Sequence, residues 1–219
     1  MKDRTGFFPT MFVITMICFL VIVVFGVVKM RHDLVLVNKE VALPDGWEDE
    51  VDIITVQNSL GEEMQIEGST YTQFAKLRER LLKEDIQIEM DSVYRSVAEQ
   101  QEIWDAWSAD PELGPEYCKK YLAVPGHSEH HTGLAVDIFI MKDGKEIRDN
   151  DEMIADTEDF EKIHAIMPEY GFILRYPLGK ENVTGYAYEP WHMRYVGSVV
   201  VAKEITEKGL TLEEYLANW

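Results

Sequence analysis

Hydrophobic and polar positions along this chain predict one long apolar segment followed by a domain of mixed helices and strands. Phe7–Val28 reads FFPTMFVITMICFLVIVVFGVV and contains no charged residue. About 20 apolar residues suffice to cross a bilayer as a helix, and a helix of a soluble core would keep a polar face. A signal peptide would have a shorter apolar region followed by small residues, whereas Lys29, Met30 and Arg31 follow here. The expectation is an uncleaved N-terminal transmembrane helix. Lys2 and Arg4 before it are matched by Lys29 and Arg31 after it, so charge does not orient it.

After Arg31 the pattern changes. Leu34–Val37 and Val51–Val56 are short, β-prone runs separated by the turn signal Pro44-Asp45-Gly46. Ser69–Lys83 carries Phe74, Leu77, Leu81 and Leu82 at helical spacing. Ile86-Gln87-Ile88-Glu89-Met90 alternates as a half-buried strand does. Ser96–Ser108 reads as helix, with Ile103, Trp104 and Trp107 on its apolar side. Leu134–Ile140 is a nearly continuous apolar run, which suits a central strand. Thr157–Met167 predicts a helix ended by Pro168 and Gly171, then a strand over Phe172–Tyr176. A strand over Trp191–Val196 and a closing helix over Ser198–Glu207 follow. The elements do not alternate as regular βα units, so the expected fold is α+β: a small, largely antiparallel sheet with flanking helices. The division is residues 1–31 as cytoplasmic tail and anchor, and residues 32–219 as one domain.

Composition narrows the function. Among 219 residues, 40 are acidic and 21 basic, a formal net charge of -19. That surface repels phosphates and argues against a nucleic-acid partner. Hydrophobic residues make up 46% of the chain, enough to exclude disorder as its overall state. Cys18 lies in the apolar run and Cys118 in the polar remainder, so a disulfide-stapled scaffold is excluded.

The chemistry concentrates in His127-Ser128-Glu129-His130-His131-Thr132-Gly133-Leu134-Ala135-Val136-Asp137 and, about fifty residues later, in Glu189-Pro190-Trp191-His192. Asp137 interrupts an apolar strand, where a carboxylate is costly unless paired or bound to a metal. Taken alone Asp137 is more often structural, as a salt-bridge partner or a cap on a neighbouring loop, and His130 alone reads as part of a polar loop. Together the two stretches supply two imidazoles and a carboxylate for a zinc ion, with a second carboxylate to act on its water. This points to a metallohydrolase. Pro190 keeps Glu189 and His192 off an ordinary helix interior; an extended or tight-loop backbone would aim both at one site.

Three motifs carry a family resemblance. Ser128, His130, Gly133, Ala135 and Asp137 meet the pattern S-x-H-x-x-G-x-A-x-D; Glu189 and His192 meet E-x-x-H; Tyr94-Arg95-Ser96 with Gln100 is similar to Y-R-S-x-x-x-Q. The chain resembles the VanY-type D-alanyl-D-alanine carboxypeptidases, metallopeptidases that trim peptidoglycan stem peptides. The likeness extends through Leu36-Val37-Asn38-Lys39 and Gly185-Tyr186-Ala187-Tyr188, and departs at Val93, where relatives often carry glycine. It implies a fold shared with the Hedgehog signalling domain, with His130, Asp137 and His192 as zinc ligands. It further implies Glu189 as general base, Arg95 facing the substrate, and Ser128 and Gln100 as polar substrate contacts. His32, His127, His131 and His164 are not expected to be ligands. The implied activity is removal of the terminal D-alanine from stem peptides outside the cell. L,D-carboxypeptidase or endopeptidase activity at the same zinc centre, or a non-catalytic zinc-containing cell-wall-binding module, are the alternatives.

Overall fold

The apolar run at Leu134–Ile140 becomes the middle of a five-stranded antiparallel sheet. The structure is a computed structural model that describes residues 32–111 and 114–218. Its strands are β1 (Ile53–Gln57), β2 (Glu63–Glu67), β3 (Gln87–Ser92), β4 (Ala135–Lys142), β5 (Lys145–Ile147), β6 (Phe172–Leu174) and β7 (His192–Tyr195). The main sheet runs β3-β4-β7-β6, with β5 also paired to β4, while β1 and β2 form a separate hairpin. The helices are α1 (Trp47–Glu50), α2 (Gly68–Leu82), α3 (Val97–Ala109), α4 (Gly114–Tyr121), α5 (Asn150–Ala155), α6 (Thr157–Ile166), α7 (Glu181–Thr184), α8 (Val199–Glu207) and α9 (Leu212–Ala217). Two short 3-10 turns cover Glu129–Thr132 and Met167–Tyr170. This is the α+β arrangement expected.

Helix α2 buries Phe74, Leu77 and Leu81 completely, and each contributes about 1.5–3 kcal/mol by leaving water. They pack with Ile88, Val136, Ile138 and Ile140 of the sheet and with Phe160 and Ile163 of α6. The adjacent residues Phe172 and Ile173 of β6 point to opposite faces, as strand geometry requires. Phe172 joins that core, whereas Ile173 joins a second cluster with Leu34, Val201, Ile205 and Leu212. The sheet is therefore covered on both sides, which explains why β4 lacks the clean apolar–polar alternation of an exposed strand.

Several expectations change. Leu34–Val37 is not a strand: its backbone is irregular, and the Val35 carbonyl accepts from Arg194 rather than from a ladder partner. Leu34 and Val37 are nonetheless buried, so the apolar signal reported burial, not strand pairing. The helix expected over Ser96–Ser108 forms as α3, with Ser96 and Glu99 in a reciprocal capping box. Ile103 and Trp104 are half-buried on the same face as the fully buried Gln100, while Trp107, one turn further on, is exposed. At Pro168 the chain continues as a 3-10 turn to Gly171, whose φ of 80° ends it. The transmembrane helix expected over Phe7–Val28 lies outside the described residues. Among the described residues, no helix is long and apolar enough to cross a membrane.

Candidate metal centre

Strand register assembles the site. Asp137 on β4 stands opposite His192 on β7 and opposite Ser92 on β3, so three polar side chains lie side by side across one face of the sheet. A bulge between Met90 and Ser92 shifts the β3 register at this point. His130 arrives from the 3-10 turn Glu129–Thr132. Ser128 caps the turn's start, its hydroxyl accepting from the His130 amide, and Gly133 closes it with a φ of 72°. A Cβ on Gly133 would lie 2.9 Å from the Ile53 side chain and 3.1 Å from Glu67, so both conformation and space demand glycine.

Glu189 and His192 are the ends of a tight turn, with the His192 amide donating to the Glu189 carbonyl at 3.2 Å. Pro190 occupies its second position, where the fixed proline φ is favourable. The turn brings Glu189 Oε2 to 3.9 Å from His192 Nδ1.

His130, Asp137 and His192 present ligand atoms that all lie within 4.8 Å of one another. Asp137 Oδ2 is 3.1 Å from His130 Nε2, and Oδ1 is 2.8 Å from His192 Nδ1. Asp137 Oδ1 is buried yet lacks a hydrogen bond of proper geometry, as befits an atom that shares a cation with its neighbours. The tautomers also fit. His130 Nδ1 donates to the Val93 carbonyl at 2.6 Å, which leaves Nε2 with a lone pair toward Asp137. The Val93 side chain is buried while its backbone carbonyl orients the histidine. Two imidazoles and a carboxylate, with an open side toward a cleft, are a donor set suited to a catalytic divalent ion.

Burial raises Glu189 to about 7, against opposition from His192 and with support from Asp137. Burial works against protonation of His192, but Asp137 and Glu129 outweigh it and push that imidazole up to about 10. Burial also opposes ionisation of Asp137, yet His130 and His192 hold it well below the usual carboxylate range. The three titratable groups are coupled at short range.

Arg95 and Glu189 both line a cleft of about 690 Å³ over this cluster, together with Ser128, Tyr186 and Trp191. Arg95 donates from Nη1 to Gln100 Oε1 at 2.6 Å and from Nη2 to Ser92 Oγ at 2.8 Å. Gln100 is fully buried and donates in turn to the Ala123 carbonyl at 2.7 Å. Both ends of its amide are engaged, so Gln100 braces Arg95 within the cleft wall. Ser128 is buried and anchors the turn carrying His130.

The other histidines have structural partners. His131 bridges the Arg95 carbonyl and the Gly126 amide, His127 meets the Asn38 carbonyl, His164 meets the Pro190 carbonyl, and His32 stacks on Trp47. Sequence reasoning missed Glu129, Arg175 and Arg194, all buried behind His192. Their charges follow no helical or strand period that would mark them in the sequence.

The family description D-alanyl-D-alanine carboxypeptidase, VanY, matches residues 63–198, more than half of the chain. The chain belongs to the VanY family. YodJ of Bacillus subtilis (strain 168) is 39% identical over 186 residues, covering 83% of this chain and 66% of that protein, so the chain spans just under two thirds of that relative. Among solved structures, a mutant of the vancomycin-resistance D,D-pentapeptidase VanY in complex with Zn(II) has 33% identity and a TM-score of 0.69. That match covers 84% of this chain and 99% of the other. The LD-carboxypeptidase LdcB has 38% identity and a TM-score of 0.71, covering 83% and 84%. The matched span of the VanY family contains Arg95, His130, Asp137, Glu189 and His192.

Proposed function

We propose that this protein is a membrane-anchored, zinc-dependent D-alanyl-D-alanine carboxypeptidase that removes the terminal D-alanine from peptidoglycan stem peptides outside the cell. The observation that carries the reading is the convergence of His130, Asp137 and His192 beneath a cleft that also holds Glu189 and Arg95. The uncharged run Phe7–Val28 supports the anchor, with residues 32–219 as the catalytic domain. Zinc(II) in the VanY relative supports the choice of metal.

His130 Nε2, His192 Nδ1 and an Asp137 oxygen would hold the ion. When bound, zinc supplies Lewis acidity that lowers the pKa of a water to about 7 and polarises the scissile carbonyl. Glu189 takes a proton from the attacking water, a role suited to a carboxylate placed 3.9 Å from the ligand nitrogen of His192. Attack on the last peptide carbonyl places negative charge on its oxygen, and the Arg95 guanidinium lies in the cleft to stabilise it. Glu189 then delivers its proton to the leaving amine of D-alanine as the C–N bond breaks. Gln100 and Ser92 hold the two ends of the Arg95 fork, so the cation meets the substrate already oriented.

The likeness to LdcB favours L,D-carboxypeptidase activity as the second reading. Both reactions use the same centre and differ in the bond presented to it. Mass spectrometry of defined muropeptides treated with the zinc-loaded protein separates them. Loss of one alanine from pentapeptide supports the D,D reading, and loss only from tetrapeptide replaces it with the L,D one. No turnover of either with zinc bound would overturn both.

A further inference from the structure

Behind His192 lies a group of buried charges that the reaction above does not use. The Glu129 side chain is fully buried, as are those of Arg175 and Arg194. Glu129 Oε1 accepts from Arg175 Nε and from Arg194 Nη1, each at 2.7 Å. Its other oxygen, Oε2, has no well-formed hydrogen bond and faces His192 Nε2 at 3.5 Å. That ring nitrogen is likewise buried without a well-formed partner. The arginines are anchored in turn: Arg175 donates twice to Glu213 of α9, at 2.9 and 2.7 Å. Arg194 donates to the carbonyls of Asp33, Val35 and Tyr195.

Stability alone is a weak reason for this cluster. Removing a carboxylate and two guanidiniums from water costs several kcal/mol per ion, and apolar residues of similar volume often serve a core as well. The geometry suits a different task. A metal-ligating imidazole commonly donates its second N–H to a carboxylate, which fixes both tautomer and ring orientation. With Oε1 taken by two arginines, Glu129 has Oε2 left to aim at His192. His130 is fixed through its opposite nitrogen by the Val93 carbonyl, so each imidazole ligand has its own orienting acceptor.

We propose that Glu129, clamped by Arg175 and Arg194, is a positioning residue that accepts the Nε2–H of His192 and so presents Nδ1 to the metal. This rests on the metal-centre reading above. In Glu129→Gln, an amide oxygen turned toward the arginines leaves the NH2 facing His192 Nε2–H, donor against donor. Loss of such an outer partner lowers metal affinity by about 10–100-fold.

The test uses the full chain in detergent, with zinc affinity measured by competition against a chromophoric chelator. Long-range proton–nitrogen NMR correlations of the zinc-loaded protein report the His192 tautomer. The expected result is Nδ1 coordination with Nε2 protonated in the parent, and about 10–100-fold weaker zinc binding in Glu129→Gln. Glu89→Gln removes a buried ion pair with Arg78 outside the cleft and should lower stability without moving either readout. Parent coordination through Nε2 overturns the proposal, as does a folded Glu129→Gln protein with parental zinc affinity. If that variant does not fold, the parental tautomer decides alone. A parent chain that takes up no zinc removes the metal reading and this inference together. Zinc uptake with an unaffected Glu129→Gln variant removes only the inference.

Discussion

Glu189→Gln should make the metal-free protein more stable at alkaline pH while removing its activity. The Glu189 carboxyl is raised from 4.5 to about 7, chiefly by burial. A group whose folded-state value is raised holds a proton in the folded chain that the unfolded chain has already released. This group therefore imposes no penalty below pH 4.5, a growing one between 4.5 and about 7, and a constant one above that. At about 1.4 kcal/mol per pH unit, the full penalty is on the order of 3 kcal/mol. Glutamine keeps the shape without the charge, so the variant should exceed the parent by up to about 3 kcal/mol at pH 8 and by almost nothing near pH 4.5. General-base catalysis contributes about 100- to 10,000-fold, and zinc-loaded Glu189→Gln should lose that much D-alanine release from pentapeptide. Urea unfolding of the chelator-treated chains at both pH values gives the first quantity, and product release at saturating zinc the second. A variant no more stable than the parent at pH 8 would refute the burial argument. Turnover within tenfold of the parent would refute the assignment of the base.

Further outcomes test the surrounding parts. At pH 8, zinc binding should release at least one proton, because His192 in the metal-free chain is pushed up to about 10 and must lose that proton to become a ligand. Calorimetry in two buffers of different ionisation enthalpy reads this directly, and a buffer-independent heat would contradict it. By the same sign, zinc affinity should weaken as pH falls. Arg95→Lys cannot reproduce the two-pronged contact to Gln100 and Ser92 and should lower kcat by about 100-fold or more with zinc content unchanged; an unaltered kcat would exclude the oxyanion role. Gly133→Ala should cost roughly 1–3 kcal/mol in urea unfolding, because φ is 72° and the new Cβ would crowd Ile53. A neutral result there would show that the turn relaxes freely.

The sequence by itself determined the elements with a strong period and the residue types of the site. Phe74, Leu77 and Leu81 announce α2 because their spacing follows one helix face, and the nearly continuous apolar run at Leu134–Ile140, broken only by Asp137, announces a strand covered on both sides. His130, Asp137, Glu189 and His192 were legible because a charge in an apolar strand and histidines beside a glycine or proline turn are unusual enough to need a reason. Leu34–Val37 misled because apolar character reports burial, and burial does not require a strand. Tertiary structure alone decided the rest. Only the pairing of β4 with β3 and β7 sets Asp137 between Ser92 and His192, and a one-residue slip would turn Asp137 to the other face. Only packing sets the Gln100 amide between Arg95 and the Ala123 carbonyl, and brings Glu129, Arg175 and Arg194 together from three separate stretches. Local periodicity records which face of an element is buried. The partner that a buried charge meets is set by contacts between residues far apart in the chain, where no period reaches.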